Sequence, residues 1–176
     1  IPSIVIGEDD YDAIPLFARI TYPFATTIVT PISCPTGRKG SKWEKKTIHY
    51  KGFNELAYLH PDLFKPDIDV IKRYSIKNPF VIIRFAELVA YHDEGKKGIT
   101  NKIAKQIIRK LSSNYQILIT SERKLESEFD KYKISIDIQD IHHVLFFADL
   151  YVGDSQTMAA EAAILGTPSI RFNDFD

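Results

Sequence analysis

The chain has almost no sulfur and no net charge. Its 176 residues contain one cysteine, one methionine and one tryptophan. The lone thiol, Cys34, closes no internal disulfide, which fits a reducing compartment, and the expected location is cytoplasmic. Histidine and cysteine do not cluster around it, so no metal is expected. The 23 basic residues balance 23 acidic ones; with no field of one sign, nucleic acid is not an expected partner. Apolar runs are short and broken by charge, too short to span a bilayer. The opening Ile1-Pro2-Ser3-Ile4-Val5-Ile6 lacks the basic region of a signal peptide. What remains is the composition of an ordinary globular protein, 44% hydrophobic and 26% charged. That length suits one substantial core, or one domain with part of another.

Strand and helix signals alternate along the chain. Ile1 to Ile6 reads as a buried strand, and Asp10 is placed to cap a helix over Ala13 to Ile20. Thr26 to Thr30 is a second strand, stopped by Pro31. A loop rich in Pro, Gly, Ser and Lys runs from Pro31 to Lys46. Thr47 to Tyr50 is a short extended piece, followed by helical turns over Asn54 to Leu59 and Asp67 to Tyr74. After Asn78-Pro79 the pattern becomes regular. Phe80 to Ile83 is a continuous apolar run, the mark of a strand covered on both faces. Thr100 caps a helix whose stripe is Ile103, Ile107, Ile108 and Leu111. Gln116 to Thr120 is the next strand. A helix over Lys124 to Lys131 and a short strand over Lys133 to Ile136 follow. Asp140 is placed to cap the next helix. Leu150 to Val152 is a strand, Thr157 to Leu165 a helix stopped by Gly166 and Pro168, and Ser169 to Phe172 the last strand.

Strands separated by helices imply right-handed crossovers and a parallel sheet, an α/β Rossmann-like fold with helices on both faces. The domains expected are residues 1–50, a linker over 51–78, and residues 79–176. A strand at the first residue and another close to the last read as a segment of a longer protein.

In an open parallel sheet ligands bind outside the carboxyl ends of the strands. The segment Gly153-Asp154-Ser155-Gln156-Thr157-Met158-Ala159-Ala160-Glu161 follows one such end. Free N–H groups and the positive end of a helix suit a phosphate there, with hydroxyls of Ser155 and Thr157 as further donors. Glu161, one turn in, is placed to accept from vicinal ribose hydroxyls. The plainer alternative is that Asp154 or Ser155 caps the helix and Glu161 is solvated. Arg84, at the end of the Phe80 strand, offers a planar fork for phosphate or carboxylate, or a surface ion pair. Arg123 follows the next strand in Thr120-Ser121-Glu122-Arg123, either facing ligand or starting a helix. Gly7-Glu8-Asp9-Asp10 gathers carboxylates that, in unlike environments, divide acid and base roles, or else cap the following helix. His142 and His143 read as structural or exposed.

Gly153 to Ile170 resembles the C-terminal-domain motif of GT-B proteins. It is most similar to a family of uncharacterised prokaryotic GT-B-like proteins carrying Gly-Gly-Thr-Met-Ala-x-Glu-Ala-Ala-x-Leu-Gly-Thr-Pro. Non-hydrolysing UDP-N-acetylglucosamine 2-epimerases have a related Asp-Ser-Gly-Gly-x-x-Glu-Glu segment. The resemblance extends to Arg84, to the loop Ala90-Tyr91-His92, to an arginine near Arg123, and to Tyr50 to Leu59. It implies the C-terminal half of a GT-B-type two-domain protein. Ser155, Gln156 and Thr157 would then face the diphosphate, with Arg84 and Arg123 as further substrate contacts and Glu161 on the ribose. Ser155-Gln156 stands where the family has glycines. By the same resemblance, Ser135 to Ile138 lies where relatives read the base with backbone groups. Glu8, Asp9 and Asp10 lie where the epimerases carry a catalytic glutamate, although the epimerases' neighbouring histidine is absent.

The function expected is a nucleotide-sugar-dependent, glycosyltransferase-like enzyme of cell-surface polysaccharide synthesis. Its substrate would be UDP-linked, with no separate cofactor. The alternatives are a non-hydrolysing sugar-nucleotide 2-epimerase and a non-catalytic GT-B-shaped binding protein. A preceding part of the protein is expected to carry the acceptor site and any peripheral membrane association. The base, the sugar and the oligomeric state are not legible.

Overall fold

The apolar runs form two separate parallel sheets, one in each of two units, Ile1–Tyr58 and Leu59–Asp176. The structure is a computed structural model and describes residues 1–37, 41–87 and 98–172. Ala90, Tyr91 and His92 lie outside the described residues.

In the first unit β1 (Ile4–Ile6), β2 (Thr27–Pro31) and β3 (Thr47–Tyr50) pair side by side, all parallel. Helix α1 (Pro15–Thr21) connects the first two. Ala18, Tyr22, Ala25 and Ile28 form a small core, joined by Val5, Tyr11 and Trp43. The opening strand was expected to be buried, and it is not. Ile4 and Ile6 are 67% and 66% exposed. They project opposite Val5, whose side chain packs into that core. Asp10 does not cap α1 with its side chain. The N-cap is Ile14, with Pro15 opening the helix. The Asp10 carbonyl instead accepts from the N–H groups of Ala13 and Ile14.

Two short helices follow, α2 (Leu56–Leu59) and α3 (Ile68–Arg73). The Asp67 side chain caps α3 by accepting from Asp69 N at 2.9 Å. Val70, Ile71 and Ile76, from the stretch expected as linker, are buried in the core of the second unit.

That unit is built on β4 (Phe80–Phe85), β5 (Gln116–Ser121), β6 (Leu150–Gly153) and β7 (Ser169–Arg171), in the order β5-β4-β6-β7. All pairs are parallel. Helix α4 (Asn101–Leu111) lies between β4 and β5 in the chain, α5 (Ile141–Phe147) before β6, and α6 (Gln156–Ile164) before β7. Side chains alternate across β4. Phe80 and Ile82 join Leu118 and Tyr151 under α3, α5 and α6. Val81, Ile83 and Phe85 pack with Ile117, Ile119, Val152 and α4. Each fully buried Ile or Phe stabilises the fold by roughly 1.5–3 kcal/mol.

The chain moves from β4 to β5 on one side, then crosses back over β4 to β6. A right-handed connection running in the opposite direction must use the opposite face. Hence α4 covers one face, and α5 and α6 cover the other. The α/β Rossmann-like fold with helices on both faces is what the alternating pattern implied.

Capping is partly as the residues foretell. Thr100 accepts from Ile103 N at 3.3 Å, and Ser155 from Met158 N at 3.4 Å. Gly166 follows the last turn of α6 with φ +89, a conformation glycine takes without steric cost. Asp140 sits at the start of α5 but makes no side-chain cap. Its carboxylate accepts instead from Arg73 Nη1 at 2.9 Å and Tyr74 Oη at 2.8 Å. The expected helix over Lys124 to Lys131 is a 3₁₀ helix at Ser127–Tyr132. The expected strand at Lys133 to Ile136 is a single parallel bridge, Ile119 to Lys133.

Candidate functional site

The reversal of strand order opens a crevice between the carboxyl ends of β4 and β6, where doubly wound sheets bind ligands. The register brings three candidate positions together there. Arg84 on β4 pairs with Gly153 on β6 and with Thr120 on β5. From Gly153 the chain turns through Asp154 and Ser155 directly into α6.

Ser155 is the N-cap of α6, so its hydroxyl oxygen is used inward, while Gln156 and Thr157 stand exposed on the first turn. No acidic residue occupies that turn, and the carboxylate just ahead of it, Asp154, is paired with Arg123, so the helix start keeps its positive end for a ligand. Glu161, one turn further, is not solvated. It is 7% exposed, and its Oε1 lies 3.1 Å from His142 Nε2 on α5.

Tyr151 ties this neighbourhood together. Its ring is wholly buried, and its hydroxyl donates to Ser155 O at 3.4 Å. Burial pushes the phenol's pKa well up. The Arg84 charge pulls it back, while Asp154 and Glu161 add to the rise. Gly153 is required by this packing. A Cβ there would stand 2.1 Å from the Tyr151 hydroxyl oxygen.

Arg84 is held from outside. Its Nη2 donates to Glu122 Oε1, and Glu122 Oε2 accepts from Glu87 N at 3.1 Å. Arg123 lies elsewhere. Its guanidinium stacks 5.1 Å from the centre of the Phe85 ring, on the α4 side of the sheet. Its Nη2 donates to Ile99 O at 2.6 Å and to Asp154 Oδ2 at 3.0 Å. Asp154 also accepts from Ala86 N at 2.5 Å and Ile99 N at 3.1 Å. One buried carboxylate therefore fastens the turns that follow β4, precede α4, follow β5 and open α6. Asp154 is not the helix cap, and Arg123 is its counter-ion.

Glu8, Asp9 and Asp10 belong to the first unit, just past β1, all exposed. Glu8 Oε2 accepts from Asn54 Nδ2 at 2.6 Å, and the Glu8 carbonyl accepts from Cys34 Sγ at 3.0 Å. Burial raises the Cys34 thiol's pKa, the Ser33 hydrogen bond opposes this, and the three carboxylates add to the rise. Ser135 to Ile138 lies in irregular backbone ahead of α5, with Ile136 packed on the core and Ile138 exposed.

Sequence reasoning weighed Asp154 only as a helix cap, carried Thr120 in its segment without a role of its own, and passed over Tyr151 and the partnership of His142 with Glu161. Each depends on a neighbour from another part of the chain, so no local spacing signals it. His143 proves structural, its Nδ1 accepting from Asp67 N at 2.9 Å. Among the described residues no group of three or more His, Cys, Asp or Glu is placed to hold a metal ion. Nor, among them, is any helix long and apolar enough to cross a membrane.

Fold and crevice together define a Rossmann-like α/β protein with its candidate site at the carboxyl edge of the second sheet. Residues 1–173 match the family described as a protein of unknown function, DUF354, and the chain belongs to it. It is 25% identical over 158 residues to the uncharacterized protein MJ0665 of Methanocaldococcus jannaschii, covering 86% of this chain and 46% of that protein. A solved structure of the wall teichoic acid polymerase TagF aligns with a TM-score of 0.49 at 15% identity, over 88% of this chain and 40% of that one. A likeness that distant carries no argument about activity. The chain spans less than half the length of either protein.

Proposed function

We propose that the carboxyl edge of the second sheet binds the diphosphate and ribose of a nucleotide-sugar, and that the whole protein is glycosyltransferase-like. The observation that carries this reading is Glu161. It is a carboxylate 7% exposed, set one turn inside a helix whose acid-free N-terminus opens at the crevice between β4 and β6. Such a helix start offers N–H groups and positive potential to phosphate. The exposed Thr157 and Gln156 and the hydroxyl proton of Ser155 add donors. Arg84 supplies the cation across the crevice. A carboxylate has several acceptor positions, so Glu161 can share a ribose hydroxyl with His142. Arg123 serves by holding Asp154 rather than by touching substrate.

In a transfer reaction the charge to be stabilised is that of the departing diphosphate. Fixed N–H groups and a guanidinium meet it without rearrangement. Within the first unit Glu8, Asp9 and Asp10 remain the candidates for an acid–base role, and Asn54 donates to Glu8. The motif's resemblance supports a UDP-linked sugar and a product in cell-surface polysaccharide.

Calorimetric titration of the full-length protein with UDP, GDP, CMP, TDP and their sugars tests this. One nucleotide family should bind, and Glu161→Ala should weaken it by about 10- to 100-fold, the worth of a hydrogen bond to a charged group. Absence of binding across the whole panel would overturn the reading.

A further inference from the structure

Two buried polar atoms at the carboxyl edge of the second sheet have no partner. Arg84 Nε and Thr120 Oγ1 are both withdrawn from solvent, and neither makes a hydrogen bond. They are neighbours by register, since Arg84 on β4 pairs with Thr120 on β5. Paired residues of parallel strands project to one face. Here it is the face of Ile82, Leu118 and Tyr151, covered by α5 and α6. Thr120 is 7% exposed, so water reaches its hydroxyl poorly, and leaving it unmet destabilises the unliganded fold.

The far end of the guanidinium is already taken. Glu122 accepts from Arg84 Nη2 and is itself fixed by Glu87 N. Glu122 thus anchors Arg84 by one nitrogen and leaves Nε buried over the strand ends. An arginine Nε only donates, so the missing partner is an acceptor. The Thr120 hydroxyl can donate to the same atom.

The geometry points to a subsite for one anionic ligand oxygen, held by Arg84 Nε and Thr120 Oγ1, with Glu122 as the positioning residue. The oxygen is a phosphoryl oxygen of the nucleoside diphosphate. Its identity rests on the nucleotide reading above, to which this adds Thr120, a residue given no role of its own in the Thr120 to Arg123 segment. Both donors meet charge, which makes these the stronger kind of hydrogen bond.

Thr120→Val removes the hydroxyl and keeps the branched shape. Two calorimetric titrations of the full-length protein test the subsite, one with the nucleoside diphosphates and one with inorganic pyrophosphate. Thr120→Val should weaken binding about tenfold or more. The variant's thermal midpoint should stay level or rise, because an unmet buried hydroxyl has gone. Arg84→Lys, which keeps the charge but lacks Nε, should weaken binding as well. Glu122→Ala should lower affinity and Glu122→Gln, which keeps an acceptor for Arg84, should restore most of it. If nucleotide binds Thr120→Val as tightly as wild type, the subsite is overturned while the nucleotide reading stands. If pyrophosphate alone binds, and Thr120→Val weakens it, the subsite stands and the nucleotide reading fails. Wild-type protein that binds neither probe would sink both.

Discussion

Asp154 Oδ2 accepts a hydrogen bond from Arg123 Nη2 at 3.0 Å, and the Asp154 side chain has no surface exposed to solvent. The same carboxylate takes the N–H groups of Ala86 and Ile99. Three hydrogen-bond donors from separate segments close on a single residue. A Cβ at Gly98 would stand 2.1 Å from Asp154 Oδ2, so the backbone passes against the carboxylate as closely as glycine permits.

Removing that carboxylate should be costly. Asp154→Ala strands Arg123 and two backbone N–H groups, and breaking one side of a buried pair costs roughly 3–5 kcal/mol. Arg123 keeps Ile99 O as a partner and is 29% exposed, which places the expectation at the lower end. Urea unfolding of the variant and the wild type measures it. A loss under about 1 kcal/mol would mean the cluster is not what holds these turns.

Gly153→Ala should destabilise through Tyr151. The added methyl would meet the hydroxyl oxygen at 2.1 Å and Cζ at 2.5 Å, and overpacking of a rigid buried ring costs about 1–3 kcal/mol. In the double variant with Tyr151→Phe only part of the clash remains, so part of the loss should return. Additive losses in a thermal-melt cycle of the four proteins would show that the two residues do not collide.

Glu126 gives a pH signature. Hydrogen bonds from Lys105 and Asn101 hold its carboxyl down from the ordinary 4.5 to about 2. A depressed folded-state pKa stabilises the protein above the unfolded value, and that contribution is lost as pH falls from about 4.5 through about 2. The group is solvent-exposed, so the effect on stability is small and screened by salt. The titration itself is the better readout. In carbon-detected NMR the Lys105→Met variant should move the Glu126 midpoint up toward 4.5. An unmoved midpoint would assign the depression to other neighbours.

The legible part of the fold was its local part. Phe80 to Ile83 is apolar without a break because both faces of β4 are covered. Thr100, Ser155 and Gly166 carry side-chain or backbone chemistry that fixes helix ends on its own. Asp10 and Asp140 had the same look and did not behave that way. Arg73 and Tyr74, far away in the chain, claim the Asp140 carboxylate. A backbone carbonyl and Pro15 shape the start of α1. The strand pattern at Ile4 to Ile6 was right in kind, but half of its alternation faces away from the core.

The order of strands and helices, the parallel connection and the Gly153 to Glu161 turn were determined by the sequence itself. They follow from period, propensity and capping, which act over a few residues. The tertiary structure decided which charged groups were left for a ligand. It buried Glu161 beside His142, committed Arg123 to Asp154, fixed Arg84 through Glu122, and left Arg84 Nε and Thr120 Oγ1 unpaired. Desolvation and partner choice act between segments dozens of residues apart, and those distances exist only once the chain has folded.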